Sequence, residues 1–481
     1  MNLRQPPPAI KRGTIGLILA ALPILAQPVF TGPDVFPADE FAARRARVMS
    51  RIGDGVAIIQ GTTERPGEQP LRQANQFFYV TGVVEPRAIL VIDGREHRST
   101  LFLNPRNERR ENNMFGPGLS PGEEAAKITG IEAVRPRDEF RSELASIAQS
   151  GRPIYTPYRP EVLGCASASD PAALAHATKN DPWDARESRE QAFLGHLKFA
   201  ASKSEFKDLD PILDEQRSIK SPREIAVLRE ATRIAGLGII EAMRDARPGM
   251  REYELQADAE YVFKKNGAYG PAYFALIATG ENTWYSHYHK DTSALGAGDL
   301  VQFDYAPDYK YYSSDVTRVF PASGKFSPRQ REFYTIYLRL YRALMSSIKV
   351  HARPSDIIKD AVVKMDAAMA GYRFTDDRIK KAAQEFVERY RNSRANSLGH
   401  NVGMEVHDVR SLTPTLEPGQ VFTIEPAMQI PEEHVGIRLE DMILITESGY
   451  ENLSAFVPIE IADIEKMMTN RGLSDAQVRL K

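Results

Sequence analysis

The chain is 481 residues long, more than one ordinary hydrophobic core accommodates, so two domains are expected. Its 42% hydrophobic and 26% charged residues are ordinary for a globular protein, and a formal net charge of −2 gives no reason to expect nucleic acid or an anionic membrane surface as partner. The single cysteine, Cys165, excludes an intrachain disulfide and argues against a thiolate-held zinc; with no supporting motif it reads as inert.

In chain order, Arg4, Lys11 and Arg12 precede an apolar run from Thr14 to Ala26 that is too short to span a bilayer as a mature helix. This layout predicts a signal peptide over 1–26 and an exported protein with no stable membrane span, although Ile24 is larger than the residue preferred two positions before such a cut. Pro37 to Ile52 suits an amphipathic helix, and Gly55 to Gly61 a buried strand. "QFFYVTGVVEPRAILVI" reads as strands on either side of a turn, and "STLFLNPRN" as a further strand running into a loop. Gly164 to Glu190 reads as loop. A mixed α/β domain over 37–205 is therefore expected.

A second domain, 218–465, starts at a Ser-Pro-x-Glu sequence with Pro222 in the first turn of a long helix. A helix follows within Arg251–Ala268, then a strand at Tyr273–Gly280 and long helices near Pro328–His351 and Pro354–Ala370. The chemistry lies on the segments between and beyond these. Asp304 and Asp315 flank a predicted hairpin; with Tyr309 and Lys310 at its tip they face each other directly, roughly 5 Å apart at Cβ. Two carboxylates so placed repel unless a cation sits between them. Glu425 ends the apolar strand "VFTIE", and Glu440 shares a strand face with Arg438, which is placed to orient it or a substrate carboxylate. His400 and His407 stand in a glycine-punctuated loop-strand, seven residues apart, so alternation does not put them on one face; one ligand and one hydrogen-bond donor is the division this suggests. His287 in "TWYSHYHKD" is a third candidate and His289 a weak one, whereas His97, His176, His196, His351 and His434 have no chemical neighbourhood. Singly, Asp304 and Asp315 read more readily as solvated strand residues and each histidine as structural, whereas Glu425 and Glu440 read equally well as ligands or as an edge-strand acid and a surface ion pair.

Together, in order, spacing and flanks, these residues resemble the aminopeptidase P and prolidase family of pita-bread metallopeptidases. "IKSPREIAVLREA" is similar to that family's opening helix of the catalytic domain, and "FFYVTGVVEPRAILVI" to its creatinase-like N-terminal domain. The resemblance implies an α/β (α+β) protein with a pita-bread domain holding two divalent metals. Manganese is expected from the oxygen-rich set, with cobalt, iron or zinc also compatible. It implies Asp304 on one metal, His400 and Glu425 on the other, and Asp315 and Glu440 bridging both. It further implies a hydroxide between the metals as nucleophile, Glu425 as proton shuttle, His407 as oxyanion donor and His287 near the scissile bond. Two departures bear on substrate orientation. Asn396 and Ser397 stand where the family often has His-Gly, and Gln429 where some members have an aromatic hydroxyl. Asn396 keeps hydrogen-bonding capacity without a positive charge.

The activity implied is removal of an N-terminal residue from peptides with proline second. A dipeptidase confined to Xaa-Pro is the alternative within the family, and a non-catalytic peptide-binding pita-bread module the alternative outside enzymes. Retention of all five ligands opposes the module, and also a creatinase-like amidine hydrolase, which works without the metals. Self-association into a homo-oligomer is a further expectation from the family.

Overall fold

The computed structural model describes residues 32–64, 70–112, 118–162, 164–167, 169–470 and 472–473. The predicted signal peptide lies outside them. The N-terminal half is organised on a six-stranded mixed sheet of β1 (Val56–Gln60), β2 (Ile89–Asp93), β3 (Arg98–Leu103), β4 (Ala133–Pro136), β5 (Ile154–Thr156) and β6 (Phe206–Asp208), in the order β4-β3-β2-β1-β5-β6. Alternation along β1 sends Ala57 and Ile59 into one apolar cluster with Phe41 and Val48 of the helix Ala38–Ile52. Val56 and Ile58 go to the other face, with Ile147 and Leu197 of two more helices. Both faces are covered, which is why β1 reads as an unbroken apolar run.

Two expectations here are corrected. "NQFFYVT" is not a strand but the helix Asn75–Thr81, closed by Gly82 at φ 67°. Its aromatic and β-branched residues favour strands, but Phe77, Phe78, Tyr79 and Val80 are all buried, and burial on every side overrides local preference. The expected loop from Gly164 to Glu190 contains the helix Asp170–Asn180, with proline in its first turn.

In the C-terminal half, Ser221 caps the helix Pro222–Asp245 through a reciprocal capping box with Glu224. The helix Glu252–Lys265 packs against it. The strands are β7 (Gly270–Pro271), β8 (Leu276–Thr279), β9 (Leu300–Asp304), β10 (Pro307–Asp308) and β11 (Thr317–Pro321), followed by β12 (Val421–Ile424), β13 (Ala427–Ile430), β14 (Val435–Arg438), β15 (Asp441–Thr446) and β16 (Gly449–Asn452). They pair as β11-β9-β8, β12-β15-β16, β13-β14 and β10-β7. Helices Pro328–Met345, Pro354–Ala370 and Asp377–Arg391 back these strands. The last of them was not legible as a helix from the sequence; its cap, Asp376, accepts from the amides of Arg378 and Ile379.

The β9–β11 hairpin register also differs from the expected one. Asp304 pairs with Thr317 rather than Asp315, and Tyr309 bridges Tyr312, so Lys310 and Tyr311 form the tip with φ 52° and 72°. Left-handed backbone is costly for a tyrosine. Here the Tyr311 ring stacks on Phe78 of the N-terminal half at 3.6 Å, and its hydroxyl accepts from the Gln73 amide. Packing between the two halves therefore decides the register. A slip of two in the pairing sum keeps Asp315 on the same face as Asp304.

Candidate metal centre

Asp304 ends β9, Asp315 precedes β11, His400 lies on the loop paired to β12 through Asn401, Glu425 follows β12, and Glu440 lies between β14 and β15 and bridges Thr317 of β11. The fold thus collects all five residues. Donor atoms of Asp304, Asp315 and Glu440 lie within 4.8 Å of one another, as do those of His400, Glu425 and Glu440 and those of Asp315, His400 and His407. The site has a closed end and an open end. Asp304, Asp315 and Glu440 are buried, His400, Glu425 and His407 half-buried, and His287 and Asn396 exposed.

Hydrogen bonds orient the donors. The Tyr273 hydroxyl lies 2.7 Å from Asp304 Oδ1 and 2.8 Å from Asp315 Oδ1. Thr317 Oγ1 donates to Glu440 Oε2 at 2.7 Å, and Thr423 Oγ1 to Glu425 Oε1 at 3.2 Å. Arg438 donates to Asp304 Oδ2 and to the Ser286 carbonyl, so its guanidinium faces Asp304 rather than open solvent. The Gln429 amide donates to the Trp284 carbonyl. Arg438 and Gln429 together pin the segment that carries His287. His400 Nδ1 lies 3.3 Å from the Asn401 carbonyl; with a proton there, Nε2 turns toward Glu425 at 3.1 Å and Asp315 at 3.4 Å. The His400 and His407 rings are 3.9 Å apart. The loop coils back on itself to bring them together, which strand alternation did not anticipate.

Charge is unbalanced in this cluster. Burial, then Asp315, push Asp304 up to about 7, and burial with Asp315, Glu425 and Asp304 raises Glu440 well above the carboxylate range. Burial also acts on Asp315 and Glu425, but contact with His400 outweighs it and holds both low. In turn His400, despite burial, is held well above the imidazole range by Asp315 and Glu425. Burial and the neighbouring His400 depress His407. Among the described residues Glu440 Oε1 has no hydrogen-bond partner, with His400 Nε2 3.9 Å away, although Glu440 is 1% exposed. An orphaned buried carboxylate oxygen amid three further carboxylates, with Arg438 as the fixed cation, is the environment a divalent cation relieves. The donor set therefore fits two such ions.

Supporting residues, Thr423 among them, escaped the sequence reading. Thr317 stands two residues after Asp315, so strand alternation was an available signal. Tyr273 has no local signal. Tyr334, Tyr337 and Tyr341 form a buried stripe at helical spacing, and buried phenols need partners. Tyr337 donates to the Pro426 carbonyl and accepts from the Leu439 amide, both at 2.6 Å, which ties the chain after Glu425 to the chain before Glu440.

A carboxylate-rich cluster with one imidazole ligand, seated where small sheets meet, defines a metallohydrolase centre. Residues 226–447 match metallopeptidase family M24, and residues 41–155 the aminopeptidase P N-terminal domain. The Xaa-Pro aminopeptidase of Escherichia coli (strain K12) is 32% identical over 457 residues, covering 89% of this chain and 97% of that protein. The solved proline aminopeptidase P II from Yersinia pestis superposes with a TM-score of 0.72 at 30% identity, covering 90% of this chain and 99% of that one. The E. coli aminopeptidase P structure with the inhibitor Pro-Leu gives 0.70 at 29% identity, covering 90% and 98%. This chain belongs to the aminopeptidase P group of the M24 metallopeptidases, with the pita-bread fold of its catalytic domain.

Proposed function

We propose that the protein is a metal-dependent aminopeptidase that hydrolyses the bond between an N-terminal residue and a following proline. The observation that carries this is the orphaned Glu440 oxygen among ligands contributed by five separate segments. Asp304, Asp315 and Glu440 would hold one divalent cation, and His400 and Glu425, with Asp315 and Glu440, the other. When bound, two divalent cations supply Lewis acidity and make a shared water nucleophilic near neutral pH. Manganese is our choice because oxygen donors dominate.

The remaining steps fall to side chains. Glu425, half-buried beside His400, accepts a proton from the attacking water and delivers it to the leaving nitrogen. His407 is half-buried, and burial disfavours its charged form, so it donates a hydrogen bond to the developing oxyanion. His287, exposed at the mouth, contacts the substrate beside the scissile bond, and Asn396 orients the chain beyond it. Arg438 acts by holding Asp304 and the Ser286 carbonyl. We extend the proposal to a division of labour between residues 37–205 and 218–465. We also propose export directed by residues 1–26, supported by the charged-then-apolar sequence there; a shortened chain in the extracytoplasmic fraction tests it.

The decisive experiment follows hydrolysis of Xaa-Pro and Xaa-Pro-Yaa peptides by chelator-stripped protein, with and without manganese, beside Glu440→Ala. Metal-restored cleavage of the tripeptide, lost in the variant, supports the aminopeptidase. Cleavage of the dipeptide alone means a dipeptidase. No cleavage with any of several metals refutes both and favours a binding module.

A further inference from the structure

His407 sits on a loop with a support of its own. Asp408, the next residue, is 7% exposed, and its carboxylate is gripped from two sides: Arg217 Nη2 at 2.5 Å and Lys220 Nζ at 2.8 Å. Glu405, 1% exposed and two residues before His407, lies 3.0 Å from the same guanidinium and accepts from Asn75 Nδ2 at 3.1 Å. Asn75 opens the buried helix of the N-terminal half, and its own amide oxygen accepts from Arg72, which also pairs with Asp308 in the hairpin between Asp304 and Asp315. The loop is shaped to admit this arrangement. A Cβ on Gly403 would lie 2.0 Å from Asp408 Oδ2, so only glycine lets the carboxylate close over the loop. Backbone bonds complete the brace: Asp408 N to the Asn401 carbonyl at 2.8 Å, Val406 N to the Cys165 carbonyl at 2.7 Å, and Ser313 N to the Gly403 carbonyl at 2.8 Å.

Formal charge in this cluster is matched, Arg217 and Lys220 facing Glu405 and Asp408, although Glu405 Oε2 has an ion pair without a hydrogen bond among the described residues. Three buried ion pairs among two cations and two carboxylates add little net stability for the desolvation they require, so their value lies in fixing geometry. What they fix is the short loop between His400 and His407. We propose that the Arg217–Lys220–Asp408–Glu405 cluster, braced by Asn75, is a positioning device for the His407 imidazole, through which the N-terminal half reaches the reacting bond. This rests on the oxyanion role assigned to His407 above. Neither Asp408 nor Asn75 touches substrate; both act through the loop.

The test combines kinetics with a readout that needs no turnover. Asp408→Asn keeps the shape and removes the charge; Asn75→Ala removes the brace from the other half. Each is expected to keep its metal content and KM while kcat falls, by about 10²-fold for Asp408→Asn, the size of effect an ångström of misplacement produces. Combined with His407→Ala, neither is expected to slow the enzyme further, because both act through the missing ring. Multiplicative losses, or losses traced to metal content or KM, overturn the proposal. In parallel, histidine-labelled protein loaded with zinc, which is diamagnetic where manganese would broaden the signal away, reports the His407 ring resonance, identified by its disappearance in His407→Ala. It is expected to move in Asp408→Asn and Asn75→Ala and to stay in Arg229→Ala, which breaks only an exposed pair with Glu451. A ring resonance that ignores both variants refutes positioning. If the parent protein cleaves no Xaa-Pro peptide, the proposed function fails while the resonance still decides the positioning. If Asp408→Asn does not fold, Asn75→Ala decides both readouts.

Discussion

Glu440 and Asp441 are consecutive, equally buried and acidic, yet they live in opposite electrostatic worlds. Asp441 accepts from Arg318 at 2.6 Å, Tyr341 at 2.5 Å and Ser454 at 2.6 Å, and these contacts outweigh burial to hold its carboxyl low. Glu440 accepts from Thr317 on one oxygen, while the other has no hydrogen bond among the described residues and only His400 Nε2 3.9 Å away, and its carboxyl is driven up. The same strand crossing thus carries one carboxylate that the protein satisfies itself and one that it leaves for a ligand. Burial does not separate structure from function here; completeness of the partner set does.

Substitution breaks the comparison most directly. Glu440→Gln is expected to lower turnover by about 10³-fold or more, the several kcal/mol that a correctly held metal supplies. Its stability after chelation should match or exceed the parent's, because one of several repelling carboxylates is gone. Asp441→Asn should do the reverse to stability. It strands the buried Arg318, at a cost of about 3–5 kcal/mol in urea or thermal unfolding. If chelated Glu440→Gln unfolds as easily as Asp441→Asn, the distinction between the two carboxylates is wrong.

The same contrast explains what the sequence revealed. Asp304, Asp315, Glu425 and Glu440 stood out because acids inside apolar strands are conspicuous, and Ser221-Pro222 marked a helix start because caps are local chemistry. The features that stayed hidden depend on distant partners. Tyr311 takes a left-handed turn position because Phe78 stacks on it from the other half. Asn75–Thr81 is helical because it is enclosed on all sides, not because of its composition. Tyr337 matters for two backbone groups on strands it meets only in the folded chain. Register, enclosed helices and supporting hydroxyls are set by tertiary contacts, which a local reading does not contain.

Tyr337→Phe sharpens the comparison at the level of support. It leaves the Leu439 amide and Pro426 carbonyl without their shared partner, at a cost of about 1–3 kcal/mol. Because those groups adjoin Glu440 and Glu425, metal affinity should fall by about 10- to 100-fold, measured by competition with a chromophoric chelator. An unchanged affinity with lowered stability would make Tyr337 a packing residue only.

The smallest effect is a slope. In chelated protein, Asp304 binds its proton up to about 7 against an ordinary 3.8, so the stability it contributes is fully present below about pH 4 and is lost as pH rises through 7. Glu440, raised from 4.5, loses stability in the same direction across this window, and His400, raised from 6.5, does so only from about that pH upward. Asp315 and Glu425, both lowered, lose stability only as pH falls below the ordinary carboxylate range, outside this window. The chelated protein should therefore melt at progressively lower temperature from pH 5 to pH 7.5. Bound cations hold the carboxylates as anions and compete with the protons, so the gain in melting temperature on adding manganese should grow over the same interval. Asp441, already satisfied, contributes no slope in this range, and Glu440→Gln should flatten part of it. A manganese-induced gain that shrinks as pH rises would mean that the cluster's excess negative charge is not what the metal relieves.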